Sequence, residues 1–481
     1  MSLLKYLYET KTQQARTLTK MQKNYVFYDF ETSGTHTAFD QPLQFAAIAT
    51  DENLKALECV DLRCQLAPHI LPSPFAMHVT SVKPEQLLDK NFPNYFEFAQ
   101  TIQALTEKWA PACWLGYNTI AFDEQILRQM FYQNLQPNIY ATQLFGNVRQ
   151  DLMKMIFAVY ADAPEILKWP LGENGKISFK LDRLAPINGF SHENAHDALN
   201  DVEATIFIFR LIKERAPRLF ENLMSSTEKH FISAQLKQFK PMSVSLRFGG
   251  HPPKNYVGCY CGESKTNSNQ IGFLDLEALN ISDLKSMGKE EITAAVQDSP
   301  KLIRALSINK AETFRELINP TNEILEKCAF LQTNSEFQMM LSDALDNRFE
   351  PIDVSKLEVE EKIYSGFFEN TDRHLLDQFQ GATWSDRAEL IKSFKDDRLR
   401  QLGQRLLAFY APDLLSNDQK SRFTEFLQSR WKATGEDVKW NTIDKVASDL
   451  SKMDSEFNSE EWKNFYNTCM SDIGLSASLC K

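Results

Sequence analysis

The stretch YVFYDFETSG, residues 25–34, decides the fold of this chain. Its aromatic and β-branched residues predict a β-strand, and two acids lie near the end of that strand. Successive side chains of a strand point to opposite faces, so Asp29 and Glu31 share one face and their carboxylates lie close together. Two unpaired carboxylates would repel each other and resist ionisation. A divalent cation such as Mg²⁺ or Mn²⁺ would relieve the repulsion, whereas a strand end with two solvated acids is the plainer alternative.

A third acid follows a second apolar segment, LGYNTIAFD at residues 115–123. The apolar residues predict a short buried strand that leads into a polar turn. Asp123 closes this turn, and on its own it would be interpreted as an ordinary turn residue.

A fourth acid lies in HENAHDALND, residues 192–201, which opens an apolar helical run over residues 202–213. Asp197 is predicted to be the N-cap, because its carboxylate can accept a hydrogen bond from a free backbone N–H. Asp201 then lies in the first turn, near the positive end of the helix dipole. His196 precedes the helix on a turn, and on its own it could equally be a packed or solvated histidine.

Together these segments resemble the DEDDh superfamily of 3′–5′ exonucleases. The matching pieces are Asp29-Phe30-Glu31-Thr32, Asn118-x-x-x-Phe122-Asp123 and His196-x-x-x-x-Asp201. The resemblance narrows to the exonuclease I family of bacteria, and it is dense over residues 24–222 and patchy afterwards. The supporting stretches are DQPLQFAAI (40–48), LGYN (115–118), AHDA (195–198), PRLF (217–220) and YSGFF (364–368).

The resemblance implies a site that hydrolyses phosphodiester bonds with two Mg²⁺ ions, for which Mn²⁺ can substitute. Four carboxylates would be the metal ligands and part of the catalytic set: Asp29, Glu31, Asp123 and Asp201. His196 would be the general base, since a histidine pKa lies near working pH. Tyr117 and Asn118, together with Glu31, are expected to contact the substrate.

The bulk composition narrows the class of protein. The chain has 481 residues, 43% hydrophobic and 24% charged, so two to four globular domains are expected. No apolar stretch approaches the 18 residues of a membrane span. The first residues lack the apolar core of a signal peptide, and Met21 is an alternative start to Met1. The net charge of −11 does not exclude nucleic-acid binding, which depends on where positive charge lies.

The cysteines point to a reducing compartment. The chain contains eight cysteines and no Cys-x-x-Cys pair, so a zinc site is not indicated. Reduced thiols in a cytoplasmic protein are the simplest interpretation.

Three domains are expected after an N-terminal extension of residues 1–23. Alternating strands and helices predict an α/β domain with a mixed sheet over 24–215, and the resemblance makes it ribonuclease H-like. Short alternating segments predict a β-rich domain over 216–362, for which the resemblance implies an SH3-like fold. Amphipathic stripes predict an all-helical C-terminal domain over 363–481.

The resemblance implies a monomeric 3′–5′ exodeoxyribonuclease of DNA repair and recombination. It would degrade single-stranded DNA threaded through a channel and release nucleoside 5′-monophosphates. Its expected partner is the acidic C-terminal tail of single-strand-binding protein. A candidate tail-binding patch combines three lysines with two phenylalanines, although a solvated helix face is the alternative: Lys229, Phe231, Lys237, Phe239 and Lys240.

Two other functions use the same residues. An RNA-trimming or proofreading exonuclease would share the site, but such proteins are usually much shorter. A non-catalytic nucleic-acid-binding scaffold would keep the fold, but it should have lost at least one of the acids or the histidine.

Overall fold

The structure is a computed structural model that describes residues 24–173, 175–191, 197–453, 457 and 459–475. The predicted N-terminal extension, the candidate base His196 and the 192–195 segment before it lie outside the described residues.

A five-stranded mixed sheet forms the first half of the fold, in the order β3-β2-β1-β4-β5. β1 is antiparallel to β2, and β2 to β3, whereas β4 and β5 run parallel to β1. The predicted mixed sheet is therefore confirmed. Its strands are β1 (Asn24–Thr32), β2 (Pro42–Thr50), β3 (Ala56–Arg63), β4 (Ala112–Gly116) and β5 (Val148–Asp151).

Strand β1 lies in the middle of the sheet, and its side chains pack on both faces. Tyr25 and Phe27 join one hydrophobic cluster, and Val26 and Tyr28 join the cluster on the opposite face. Alternation of this kind buries both sides of a strand, as expected when helices cover both faces of a sheet. The two acids near the end of β1 are thereby anchored by apolar packing on either side.

Strand β4 approaches β1 closely at its carboxyl end. A Cβ atom on Gly116 would lie 2.4 Å from the Tyr28 carbonyl oxygen. Any residue larger than glycine would therefore push the two strands apart. Glycine at this position therefore allows the turn that carries the chain from β4 to Asp123.

The helices of this half pack on both faces of the sheet and on its edges. Their starts agree with sequence signals such as the capping box of Asn94 and Glu97. They are α1 (Pro74–Thr80), α2 (Pro84–Leu88), α3 (Tyr95–Lys108), α4 (Asp123–Gln133), α5 (Leu152–Asp162), α6 (Leu181–Ile187), α7 (Ala198–Arg215) and α8 (Pro217–Ser225). The next helix, α9 (Lys229–Leu236), packs instead with the second sheet described below.

A second, antiparallel sheet follows, in the order β10-β6-β7-β8-β9. Its strands are β6 (Met242–Leu246), β7 (Lys254–Glu263), β8 (Gln270–Asp275), β9 (Ile303–Ser307) and β10 (Arg315–Glu316). Helices of the same region are α10 (Ile281–Ser286), α11 (Lys289–Gln297), α12 (Asn322–Thr333) and α13 (Ser335–Asp346). The middle of the chain is β-rich, as predicted, and it carries more helix than the sequence interpretation assigned to it.

The last part of the chain is helical. The stripe of Leu399, Leu402 and Leu406 is buried, and the predicted capping box is formed by Ser416 and Gln419. The helices are α14 (Asn370–Gly381), α15 (Trp384–Ser393), α16 (Asp397–Tyr410), α17 (Asn417–Lys432), α18 (Ile443–Leu450) and α19 (Ser459–Asp472). No helix among the described residues is both long enough and apolar enough to cross a lipid bilayer.

A buried ion cluster ties the segment before Tyr364 to the C-terminal helices. Glu360 is fully buried, and its Oε1 lies 2.7 Å from Arg405 Nη1 and 3.0 Å from Arg430 Nη2. Burial raises the pKa of the Glu360 carboxyl, but the two guanidinium groups outweigh burial and lower it to about 2. The carboxylate therefore stays charged, and its stabilising effect is present above the ordinary glutamate pKa and lost only as the pH falls through about 2.

We predict that Glu360→Gln lowers the free energy of unfolding by about 3 kcal/mol or more at pH 7, because it leaves two buried guanidinium groups without their counter-charge. Urea unfolding followed by circular dichroism measures the loss. The neighbouring Glu361→Gln is the matched control, since Glu361 pairs with the half-exposed Lys439 and should cost less than about 1 kcal/mol. Equal losses in the two variants would contradict the prediction.

Candidate active site

Three acidic side chains meet at the end of β1. Carboxylate oxygens of Asp29, Glu31 and Asp201 all lie within 4.8 Å of one another. Asp29 and Glu31 lie two residues apart on the same strand, so they point to the same face, and Asp201 reaches them from α7, which packs on β1 and β2. The structure therefore brings these three acids together, as expected from the sequence. Such a cluster can hold a divalent cation through oxygen ligands alone.

The start of α7 places Asp201 in the cluster. Asp197 is the N-cap: its Oδ1 accepts a hydrogen bond from Leu199 N at 3.1 Å, as predicted. Its backbone carbonyl accepts the Asp201 N–H at 3.1 Å. Asp201 thus lies in the first helical turn, where the positive end of the helix dipole favours a carboxylate.

Asp123 lies beside these three acids. It is the first residue of α4, and its Oδ1 accepts a hydrogen bond from the backbone N–H of Phe30 at 3.2 Å. Phe30 separates Asp29 from Glu31, so this bond holds the third predicted acid against the same strand end.

Burial and neighbouring charges raise the pKa of three of these acids. Burial raises the pKa of Asp29 well above its ordinary value, and the charges of Asp123, Glu31 and Asp201 raise it further. Burial and the acids Asp201, Asp123 and Asp197 raise the pKa of Glu31 to about 8, against an opposing effect of Arg63. Burial also raises the pKa of Asp123 to about 7, although the Phe30 N–H counteracts it. Without a cation these carboxyls therefore tend to hold protons near neutral pH.

A buried ionic network lies behind Asp123. Glu124 accepts hydrogen bonds from Tyr28 and Thr142, and it forms ion pairs of 2.9 Å with both Arg128 and Arg149. Arg149 also donates to the backbone carbonyl of Asn309, which belongs to the chain after β9. The first turn of α4 is therefore joined to β1, to β5 and to the second half of the molecule.

Tyr117 and Asn118, the predicted substrate contacts, line a cleft of about 760 Å³ between the two halves of the molecule. The Tyr117 hydroxyl donates to the Phe179 carbonyl, and Asn118 adopts a left-handed conformation with φ 65°. Asn118 N donates to Asp151 Oδ1 at 3.0 Å, which fixes the turn that leads to Asp123.

Basic residues also line this cleft, and the sequence interpretation did not single them out. They come from both halves of the chain: Lys176, Lys180, Arg183 and Arg247. Arg247 stacks on the ring of Phe179 at 5.0 Å, and Arg183 pairs with Glu173 at 2.8 Å. The Lys-x-x-x-Lys-x-x-Arg spacing of the first three was visible in the sequence, but their meeting with Arg247 depends on tertiary packing.

The lysines of the candidate tail-binding patch have acidic neighbours on their own surface. Lys237 forms an ion pair of 2.9 Å with Glu263, and Lys240 lies 3.6 Å from Glu316. Phe231 is exposed. Ion pairs of this kind are typical of a solvated surface, the alternative interpretation of this patch.

Two family models match the chain. Residues 26–209 match the family described as Exonuclease, and residues 357–471 match the family described as Exonuclease I C-terminal domain. Among curated relatives, Exodeoxyribonuclease I of Escherichia coli K12 is 31% identical over 430 residues, which cover 84% of this chain and 89% of the relative. Exodeoxyribonuclease I of Haemophilus influenzae is 28% identical and covers 85% of this chain and 91% of the relative.

Solved structures match almost the whole chain. E. coli exonuclease I in complex with a dA16 oligonucleotide is 27% identical, with a TM-score of 0.79, over 94% of this chain and 100% of that one. Exonuclease I from Methylocaldum szegediense is 25% identical, with a TM-score of 0.78, over the same shares of the two chains. The first half of the molecule and its helical C-terminal region thus have the exonuclease I fold, with a ribonuclease H-like exonuclease domain. The chain belongs to the exodeoxyribonuclease I family and is an exodeoxyribonuclease.

Proposed function

We propose that this enzyme degrades single-stranded DNA from the 3′ end and releases nucleoside 5′-monophosphates with the help of two Mg²⁺ ions. The observation that carries the proposal is the approach of Asp29, Glu31 and Asp201 to within 4.8 Å at the end of β1. Burial of like charges at this distance is costly, and a cation that binds there offsets the cost.

The donor set fits Mg²⁺ or Mn²⁺, because every donor is a hard carboxylate oxygen. The ligands would be Asp29, Glu31, Asp123 and Asp201. Two bound cations would lower the pKa of a water molecule and stabilise the leaving oxygen. His196, placed just before the α7 N-cap in the sequence, accepts the proton of the attacking water on its imidazole.

The substrate strand would lie in the basic cleft beside Tyr117 and Asn118. Cations along a groove bind the phosphates of a single strand without regard to sequence, and aromatic rings stack its bases. The E. coli relative has been solved with dA16 and dT13 oligonucleotides, which is consistent with a single-stranded substrate for this chain.

The remaining parts of the proposal concern organisation and partners. The exonuclease domain spans residues 24–215, an SH3-like domain 216–362 and a helical domain 363–481. The enzyme acts as a cytoplasmic monomer in DNA repair and recombination, and it binds the acidic tail of single-strand-binding protein. Threading is supported by the lining of the cleft, to which residues 117–183 and the later residues Arg247 and Gly250 both contribute.

We expect Asp29→Asn and Asp201→Asn each to lower the rate of nucleotide release by more than about 100-fold. Loss of a residue that only hydrogen-bonds a metal ligand typically lowers activity by up to about 100-fold, and a direct ligand should matter more. Shortening of a 5′-labelled single strand in Mg²⁺ measures the rate. Glu203→Gln, an exposed acid on the same helix α7, is the matched control and should retain activity.

The same assay tests the substrate. Shortening of the 5′-labelled strand from its 3′ end, with a blunt duplex and an RNA strand largely resistant, is the expected result. Preference for RNA would favour an RNA-trimming enzyme, and binding without cleavage by the wild-type protein would favour a non-catalytic scaffold.

We predict that Glu31→Gln stabilises the metal-free protein more at pH 8 than at pH 5. The folded-state pKa of about 8 exceeds the ordinary glutamate value, so folding takes up a proton and the contribution of Glu31 to stability falls as pH rises towards 8. Urea unfolding in EDTA should show a gain of at least about 1 kcal/mol between the two pH values. Excess Mg²⁺ should reverse the order of the two proteins, because the cation stabilises only the intact cluster. A gain independent of pH would contradict the prediction.

The combined variant Lys180→Gln/Arg247→Gln should bind single-stranded DNA with a weaker salt dependence. Each phosphate contact contributes about −0.7 to the slope of log K against log salt, so loss of two contacts should flatten it by about 1.4. Fluorescence anisotropy in EDTA measures binding without cleavage. Lys392→Gln, which removes a surface pair with Glu389 on α15, should leave the slope unchanged, and equal slopes in both variants would exclude the cleft as the DNA groove.

A further inference from the structure

Three side chains form a row across the first sheet. Glu31 on β1 lies opposite Gln44 on β2, and Gln44 lies opposite Arg63 on β3. Residues directly opposite each other in neighbouring strands project from the same face. Arg63, the last residue of β3, therefore lies on the face that carries the acidic cluster and that α7 covers.

Arg63 reaches from this face to the start of α7. Its Nη2 donates to Asp197 Oδ2 at 3.2 Å, while the other oxygen of Asp197 caps α7 through Leu199 N at 3.1 Å. The carboxylate of Asp197 is thus held on both sides, once by the helix and once by the sheet. Because Asp197 O accepts the Asp201 N–H, the position of Asp197 sets that of the first helical turn.

Stability alone does not explain this ion pair. The side chains of Arg63 and Asp197 are 25% and 39% exposed, and pairs with this exposure contribute little to folding because water screens them. The pair does, however, connect strand β3, which carries Arg63, with helix α7, which carries Asp201. Its effect is on the relative placement of the two sides of the cluster.

We propose that Arg63 is a positioning residue that fixes the Asp201 carboxylate relative to Asp29 and Glu31, and so sets the affinity of the site for divalent cations. This inference rests on the proposed function of these acids as metal ligands. The planar guanidinium suits the role, since its fork of N–H groups fixes direction as well as charge. Partners that orient metal ligands commonly change metal affinity by 10–100-fold when they are removed.

The experiment compares Arg63→Gln, Arg63→Lys, Asp197→Asn and the double variant Arg63→Gln/Asp197→Asn with the full-length wild-type protein. Calorimetric titration with Mn²⁺ in the absence of DNA measures metal affinity directly. Steady-state hydrolysis of a single strand at saturating Mn²⁺ gives kcat and KM separately. Asn can still cap the helix, so Asp197→Asn keeps the fold, which circular dichroism verifies for every variant.

We expect Arg63→Gln to weaken Mn²⁺ binding by about tenfold and to lower kcat, with KM nearly unchanged. Arg63→Lys should recover part of the loss, because it keeps the charge but not the fork. The double variant should be no worse than Arg63→Gln, since both substitutions break the same contact. Lys108→Gln is the matched control: it removes the ion pair of 2.7 Å between Lys108 of α3 and Glu58 of β3, the strand that carries Arg63, and should change neither quantity.

Four results would overturn the inference. Unchanged Mn²⁺ affinity in Arg63→Gln would show that Arg63 does not place the cluster. A raised KM with normal kcat would make Arg63 a DNA contact instead, and additive effects in the double variant would separate it from Asp197. Absence of Mn²⁺ binding by the wild-type protein would remove the proposed metal site itself, whereas binding by wild type with no effect of Arg63→Gln would remove only the positioning role.

Discussion

Repulsion between carboxylates at the end of β1 is the constraint on which the rest of the structure depends. Asp29, Glu31 and Asp201 lie within 4.8 Å of one another, and Asp123 adds its charge from α4. An arrangement of this kind is unfavourable in a bare protein, so the surrounding elements must hold it rigidly. Apolar packing on both faces of β1 and the capped start of α7 supply that rigidity.

Local signals in the sequence were enough to predict the two sides of the site. The two-residue spacing of Asp29 and Glu31 in an apolar strand determines that they share a face. The N-cap residue Asp197 determines that Asp201 lies in a first helical turn. That these two sides meet could be inferred only from the family resemblance, because it depends on how α7 packs on the sheet.

Features that depend on long-range pairing could not be predicted. Strand β5 has the sequence VRQD, which lacks an apolar pattern, and its Arg149 is buried because Glu124 neutralises it from α4. The basic cleft joins Lys180 to Arg247 across 67 positions of the chain. The partnership of Arg63 with Asp197 spans 134 positions, and neither residue indicates the other in the sequence.

Arg149 contacts both halves of the molecule, and this has a mechanical consequence. One guanidinium holds Glu124, the residue after Asp123, and also the Asn309 carbonyl beyond β9. A displacement of the second sheet relative to the first would therefore either break the hydrogen bond between Arg149 and the Asn309 carbonyl or pull, through the Arg149–Glu124 ion pair, on the first turn of α4. The two halves are also joined by the ion pairs Lys154–Glu312 and Arg315–Asp162, but Arg149 acts on the residue next to Asp123, so a shift of the second sheet would change the position of one acid of the cluster relative to the others.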